Sequence, residues 1–135
     1  MYLLAIDPGV ETGVALLGED GSIIWTVTAE GPDYPELTSA LGHYPDARLA
    51  MEDSPDTRHH QETFVRVKTL VEADGRPVAY VRPSQWKNHP AARVPEDLES
   101  KHEREAVGIG RWHLSQLRSS DADQARSADA PAAHQ

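Results

Sequence analysis

Apolar and polar residues follow two different periods along the chain, and the changes of period mark the predicted elements. Residues 2–7, 13–18 and 22–28 are short, largely apolar runs separated by turn residues, a pattern typical of successive β-strands. The acidic turn at 19–21 predicts that the second and third strands form a hairpin. Because the connections between these strands are short, we expect an antiparallel meander.

Beyond the meander, helical and strand patterns alternate. Leu37, Leu41 and Tyr44 recur at helical spacing and predict a short helix over residues 34–43. Residues 84–99 contain two prolines and are predicted to be irregular, either a functional loop or only a connection. The same reasoning predicts a strand over 48–52, a helix over 59–73, a strand over 78–81 and a helix from Ser100 to about Leu117.

These elements predict an α/β domain with a mixed five-stranded sheet and helices on both faces. Strands that follow a helix add in parallel through right-handed crossovers, so the predicted strand order is 3-2-1-4-5. A chain of 135 residues is long enough for one such domain, which we assign to residues 1–118. Residues 119–135 are rich in Ser, Ala, Asp and Gln without periodicity, and are predicted to be a disordered tail.

Composition narrows the class of protein. The chain has no cysteine, which excludes disulfides and thiolate metal ligands. It has no apolar run near the roughly 18 residues that a membrane helix needs and no secretory-signal pattern, so we expect a cytoplasmic protein without membrane contact. The net charge of −9 argues against a nucleic-acid partner, because phosphate neutralisation supplies most of the affinity of such proteins. Evidence for a nucleic-acid function must therefore come from sequence motifs and not from the net charge.

Acidic residues end two strands that are predicted to be neighbours. Asp7 ends the first strand and is followed by Pro8-Gly9, and Glu52 ends the fourth. A carboxylate beside an apolar core is costly unless something compensates its charge, and a bound cation is a common compensation. Two neighbouring carboxylates also raise each other's pKa unless a metal neutralises them.

The last helix is predicted to add further ligands. Ser100 and Glu103 match a capping box, and we assign Glu103 to that role. His102 and Glu105 are three residues apart and so share one helix face. Each of these residues has an ordinary alternative role, such as a surface acid or a helix-terminal acid. Their joint placement favours a metal site, and oxygen-rich ligands with one imidazole suit Mg²⁺ or Mn²⁺ better than zinc.

Three motifs from separate elements carry a resemblance to a known family: the opening Asp7-Pro8-Gly9…Thr12-Gly13, the strand-ending Glu52 and the His102-x-x-Glu105 of the last helix. Together they resemble the RuvC family of Holliday junction resolvases, over about residues 2–117, and the short chain fits a phage or viral relative. In a viral relative, the expected location is the host cell cytoplasm.

The resemblance implies a ribonuclease-H-like fold and a divalent-metal-dependent, structure-selective endonuclease. The implied reaction is paired phosphodiester hydrolysis of a four-way DNA junction, giving 5′-phosphate and 3′-hydroxyl ends. It implies two Mg²⁺ ions, for which Mn²⁺ substitutes, with Asp7 bridging both ions and Glu52 binding one. His102 and Glu105 would complete the set from the last helix, with His102 either binding metal or acting as a general acid or base. Because resolution needs two coordinated nicks, the resemblance also implies a homodimer.

The chain departs from the family pattern at two positions that bear on activity and specificity. The last acid is more often Asp in the family, and Glu105 is one methylene longer. The family often carries a junction-wedging aromatic residue soon after the strand-four acid. Residues 53–55 contain no aromatic, so Phe64 is the candidate replacement.

Basic residues supply candidate phosphate contacts. Trp86 is predicted either to stack on a base or to pack on the sheet. The predicted DNA-binding residues are Arg58, Lys87, Lys101 and Arg104.

Other functions stay open. One is a nuclease of the same fold that cuts RNA–DNA hybrids, flaps or structured RNA, which substrate preference would distinguish. Another is a catalytically silent binding module, favoured by Glu105 and the acidic charge, which predicts no metal-dependent cleavage and no stabilisation by divalent metal. A phosphate-binding domain of the sugar-kinase and actin type has a similar opening turn but requires two such domains and many more residues.

Overall fold

In the part of the chain that the computed structural model describes (residues 1–53, 61–94, 97–98 and 100–129), five strands form one mixed sheet. The strands are β1 (Tyr2–Asp7), β2 (Glu11–Gly18), β3 (Ile23–Glu30), β4 (Arg48–Glu52) and β5 (Val78–Val81). Their order is β3-β2-β1-β4-β5, with antiparallel pairing in β1–β2 and β2–β3 and parallel pairing in β1–β4 and β4–β5. The predicted order and strand directions are confirmed.

The helices lie where the sequence predicts them, with two additions between β5 and the last helix, a short α-helix and a 3₁₀ turn. They are α1 (Pro35–His43), α2 (Gln61–Glu72), α3 (Pro83–Trp86) and α4 (Lys101–Asp129), and Pro90–Ala92 form a 3₁₀ turn. The prediction that residues 84–99 are irregular is therefore wrong for α3 and the 3₁₀ turn. Pro83 and Pro90 each begin a short helix, where the missing N–H of proline costs nothing. The predicted start of α2 at His59 lies outside the described residues.

The last helix is longer than the sequence predicts. α4 continues to Asp129 instead of ending near Leu117, so the prediction of disorder is wrong for residues 119–129. No glycine or proline interrupts residues 111–129, so nothing in the sequence stops the helix that packs on the core through Leu114 and Leu117 from continuing beyond that contact. Residues 130–135 lie outside the described residues, and the assignment of residues 1–118 to the packed domain stays a prediction. Over the described ranges, no helix combines the length and apolar character needed to cross a bilayer.

Helices cover both faces of the sheet, as predicted. Leu4 and Ile6 of β1 belong to a core cluster that includes buried side chains of α1 and α2. Leu3, on the opposite face, belongs to a second cluster formed with α4. The alternation follows from the two-residue period of a strand, which sends successive side chains to opposite faces.

Glycines allow α4 to approach the sheet closely. A Cβ at Gly110 would lie 2.9 Å from the Cβ of Ala5 and 2.5 Å from Cδ1 of Leu17. A Cβ at Gly13 of β2 would overlap the carbonyl oxygen of His102, in the first turn of α4. Gly13 therefore determines how near the start of α4 comes to the sheet.

Replacement of Gly13 tests this close approach. Because the added methyl group meets backbone that cannot rotate away, we expect Gly13→Ala to lower the free energy of unfolding by about 2 kcal/mol or more. Gly42 in α1 is a matched control, since its Cβ would enter open space. We expect Gly42→Ala to raise the free energy of unfolding by about 0.5–1 kcal/mol. Urea unfolding followed by circular dichroism measures both, and equal stabilities of Gly13→Ala and wild type would contradict the close approach.

Candidate metal centre

Acidic side chains from two strands meet the first turns of α4 at one edge of the sheet. Asp7 ends β1, and Glu52 ends the neighbouring parallel strand β4. His102 and Glu105 lie near the N-terminus of α4. All four line one open cleft of about 510 Å³. The ligand atoms of three of them, Asp7, His102 and Glu105, lie within 4.8 Å of one another.

Asp7 is the most buried member of the group. Its exposed fraction is 3%, and its Oδ2 lies 3.2 Å from Nδ1 of His102. Burial, and then the neighbouring carboxylates of Glu52 and Glu105, raise the pKa of Asp7 well above its ordinary value. An ionised Asp7 is therefore costly in this position unless a positive charge lies beside it.

The turn that follows Asp7 is fixed by hydrogen bonds to Gly9. The hydroxyl of Thr12 donates to the Gly9 carbonyl at 2.9 Å, and the Gly9 N–H donates back to Thr12 Oγ1 at 3.2 Å. The buried Tyr34 hydroxyl donates to the same carbonyl at 3.0 Å. Sequence reasoning identified Thr12 as part of the opening motif but missed Tyr34, for which no local pattern gives a signal.

The start of α4 is capped as predicted in one respect and differs in another. The N–H of Glu103 donates to Ser100 Oγ at 3.3 Å, which is the expected N-cap bond. The carboxylate of Glu103, however, accepts hydrogen bonds from the hydroxyls of Thr26 at 2.5 Å and Thr28 at 2.7 Å, both on β3. The capping-box role predicted for this carboxylate is therefore wrong, because two hydroxyl donors on the sheet compete successfully for it.

The donor set fits a hard divalent cation. Carboxylate oxygens dominate the set, with one imidazole, and this composition suits Mg²⁺ or Mn²⁺. The raised pKa of Asp7 agrees with this, since crowded carboxylates are stabilised by a cation that binds between them. Chemistry of this kind activates water and stabilises an oxyanion leaving group.

The predicted DNA-contact residues have different environments. Lys87 and Lys101 line the cleft, and Nζ of Lys101 lies 3.9 Å from Oε1 of Glu105. Nη1 of Arg104 donates to the Leu98 carbonyl, which ties this side chain to the segment before α4. Arg58 lies outside the described residues.

The two candidate aromatic residues also lie in different surroundings. Trp86 is 6% exposed and belongs to the core beneath α4, so it packs on the sheet and is not placed to stack on a base. Phe64 of α2 packs only partly on the opposite core and lines the cleft together with Glu52. Of these two aromatic residues, Phe64 is the one that a ligand in the cleft can reach.

The strand order, the helices on both faces and the strand-end acids define a ribonuclease-H-like α/β fold, as predicted. RuvC of T. thermophilus, solved in complex with a Holliday junction substrate, superposes with a TM-score of 0.70 at 16% identity, covering 89% of this chain and 96% of that chain. The fowlpox virus Holliday junction resolvase superposes with a TM-score of 0.53 at 12% identity, covering 88% and 99%. The chain therefore shares the fold of these resolvases. Neither a protein-family model nor a curated protein matches the sequence.

Removal of the Asp7 charge tests the electrostatic cost of the site. We expect Asp7→Asn to raise the free energy of unfolding of the metal-free protein by about 1–3 kcal/mol at neutral pH, because folding no longer has to protonate a carboxylate that burial and like charges disfavour. We expect Mn²⁺ to raise the unfolding temperature of the wild type, and we expect the same substitution to abolish that rise. Asp20 is the control: it is exposed, and hydrogen bonds from Ser22 lower its pKa, so Asp20→Asn should not stabilise the protein. A less stable Asp7→Asn protein without metal would contradict this account.

The pH dependence of stability provides a second test of Asp7. The pKa of Asp7 is raised on folding. Its contribution to the free energy of unfolding is therefore fully present below the ordinary carboxyl pKa and is lost as the pH rises. We expect the metal-free wild type to lose stability relative to Asp7→Asn over the range of about pH 5–8, measured by urea unfolding at each pH. A constant difference between the two proteins over that range would contradict a raised pKa.

Proposed function

We propose that the protein is a divalent-metal-dependent, structure-selective DNA endonuclease that resolves four-way junctions. It hydrolyses phosphodiester bonds in paired nicks and leaves 5′-phosphate and 3′-hydroxyl ends. One observation carries the proposal. Ligand atoms of Asp7, His102 and Glu105 lie within 4.8 Å of one another, where the central strand of a ribonuclease-H-like sheet ends. The likeness in fold to two Holliday junction resolvases, over nearly the whole of each chain, supports the choice of substrate.

Each residue of the centre has a distinct role in this mechanism. Asp7, Glu52, His102 and Glu105 would hold two Mg²⁺ ions, replaceable by Mn²⁺, and these ions would supply an activated water and stabilisation of the leaving 3′-oxygen. Asp7 would be the ligand shared by both ions, because it is the most buried acid of the centre and β1 lies beside β4 with His102 of α4 against Asp7. Glu52 contributes from the β4 side of the cleft, whereas His102 and Glu105 contribute from the α4 side.

An acidic protein needs local compensation to hold DNA. Two divalent ions would offset up to four negative charges, and the acids that line the cleft, Asp7, Glu11, Glu52 and Glu105, form part of the net −9. Lys87 and Lys101 lie on the same cleft and are the proposed phosphate contacts. The acidic balance of the whole chain is therefore compatible with a DNA substrate at this one surface.

Paired nicking has consequences for assembly. One cleft cuts one strand at a time, so coordinated cleavage of two strands requires two centres. We infer a homodimer that acts on DNA in the cytoplasm, or in the host cell cytoplasm if the source is viral. Light scattering on the purified protein, alone and with an equimolar four-way junction, measures the number of copies.

The direct test is cleavage of an end-labelled four-way junction in Mg²⁺ and, in parallel, in Mn²⁺. We expect paired symmetric nicks in the junction, with the rate reduced about 10²–10³-fold in Asp7→Asn. Linear duplex, flap and RNA–DNA hybrid of matched sequence are the controls. If the controls are cleaved as fast as the junction, the protein is a general nuclease that uses the same metal centre. Absence of cleavage of every substrate by folded wild-type protein would favour a silent binding module.

The selectivity for junctions is tested at Phe64. If the Phe64 ring stacks against an unpaired base at the branch point, Phe64→Leu should weaken junction binding by about 1–3 kcal/mol, roughly 5- to 150-fold in Kd. The aliphatic side chain of the leucine retains the core contact. Val65 is the matched control, because it is 52% exposed on the same helix and does not line the cleft. Val65→Ala should leave Kd unchanged. Equal junction affinities of Phe64→Leu and wild type in a fluorescence-anisotropy titration would remove Phe64 from the specificity mechanism.

A further inference from the structure

The first turn of α4 lies across one row of paired residues in the sheet. Asp7 of β1 pairs with Gly13 of β2, and Gly13 pairs with Thr28 of β3. His102 faces Asp7 at one end of this row, and its carbonyl oxygen occupies the space above Gly13. Glu103 contacts Thr28 at the other end. The turn is therefore held at two ends, and only one of them belongs to the metal centre.

The contact at the β3 end is a polar network of four side chains. Thr26 and Thr28 are two residues apart and so present their hydroxyls on the same face of β3. Both hydroxyls donate to the carboxylate of Glu103, one to each oxygen. Thr28 Oγ1 also lies 3.3 Å from Ser100 Oγ, the N-cap of the same helix. Hydrogen bonds to an ionised acceptor are stronger than neutral ones, so this network is a firm anchor.

An anchor at this position has a physical purpose. The end of a helix lacks part of its internal hydrogen bonding, so its first turn is the part least held by the helix itself. Here the start of α4 also carries His102 and Glu105 towards the buried Asp7, so its position on the sheet sets the distances between these three side chains. Hydrogen bonds on the β3 side restrain that position from outside the metal centre.

We propose that Glu103 is a positioning residue of the metal centre, which acts through its hydrogen bonds to Thr26 and Thr28. By holding the first turn of α4 on β3, it sets the placement of His102 and Glu105 opposite Asp7 before a cation binds. The inference rests on the proposed function in so far as His102 and Glu105 are cation ligands. Successive helix residues are separated by about 100°, which is why Glu103 points to β3 while His102, the residue before it, faces Asp7.

Three variants separate geometry from charge. Glu103→Ala removes the anchor, and the double variant Thr26→Val with Thr28→Val removes its donors while leaving the charge of Glu103 in place. Glu103→Gln keeps the shape and hydrogen bonds to both hydroxyls but removes the charge. We expect the first two to weaken Mn²⁺ binding about 10- to 100-fold in calorimetric titration of the full chain, and Glu103→Gln to stay within about 3-fold of wild type.

Arg111 provides the matched control for a loss of stability alone. Its side chain ties α4 to the carbonyls of Gly21 and Arg93, away from the metal centre. We expect Arg111→Ala to lower the unfolding temperature without changing Mn²⁺ affinity. Hydrogen exchange in metal-free protein gives a readout that does not involve the cation, and the amides of residues 102–106 should exchange faster in Glu103→Ala and in the double threonine variant only.

The outcomes distinguish a positioning role of Glu103 from a direct effect of its charge and from a failure of the proposed function. If Glu103→Ala loses stability as Arg111→Ala does but binds Mn²⁺ like the wild type, the positioning role is overturned. If Glu103→Gln fails to bind while the double threonine variant binds normally, Glu103 acts on the cation by its charge, and the anchor is overturned. If wild-type protein binds no Mn²⁺, the proposed function fails and the positioning role with it, even where hydrogen exchange still reports a docked turn.

Discussion

The approach of the first turn of α4 to the sheet at Gly13 is the constraint on which the rest of the structure depends. It brings His102 to Asp7, although the two residues are 95 positions apart in sequence. The approach is close because Gly13 has no side chain, and it continues along the helix because Gly110 lies against Ala5 and Leu17. The cleft, the charge cluster and the second core all follow from this one packing arrangement.

The same approach creates an electrostatic problem that apolar packing has to overcome. A docked α4 places Glu105 near the buried Asp7, and Glu52 adds a third carboxylate from β4. Burial of apolar side chains such as Ile109 and Leu114 stabilises the docked helix, at roughly 25 cal/mol per Å² of apolar surface removed from water. A bound cation would convert the remaining repulsion into attraction. Cation binding and docking of α4 are therefore expected to be coupled equilibria.

Much of the fold was predictable because it depends on local patterns and general topological rules. Short apolar runs located the strands, and the right-handed crossover rule placed the strands that end in Asp7 and Glu52 side by side. Helical spacing placed His102 and Glu105 on one face. These inferences needed no knowledge of which side chains touch across the sheet.

What the sequence did not reveal depends on contacts between distant segments or on weak local preferences. Glu103 matched a capping box, but its partners Thr26 and Thr28 are identifiable only once the register of β3 beneath α4 is known. Tyr34 braces Gly9 through a similar long-range contact. The continuation of α4 over residues 119–129 was missed because its polar composition is shared by disordered segments and by exposed helices alike.

Anomalous diffraction from crystals grown with Mn²⁺ tests the central claim most directly, since it locates the cation independently of catalysis and of stability. The account predicts anomalous peaks in the cleft, with carboxylate oxygens of Asp7 in the coordination sphere and ligands from both β4 and α4. Well-ordered Asp7 and Glu105 side chains at saturating Mn²⁺ with no anomalous peak between them would contradict it.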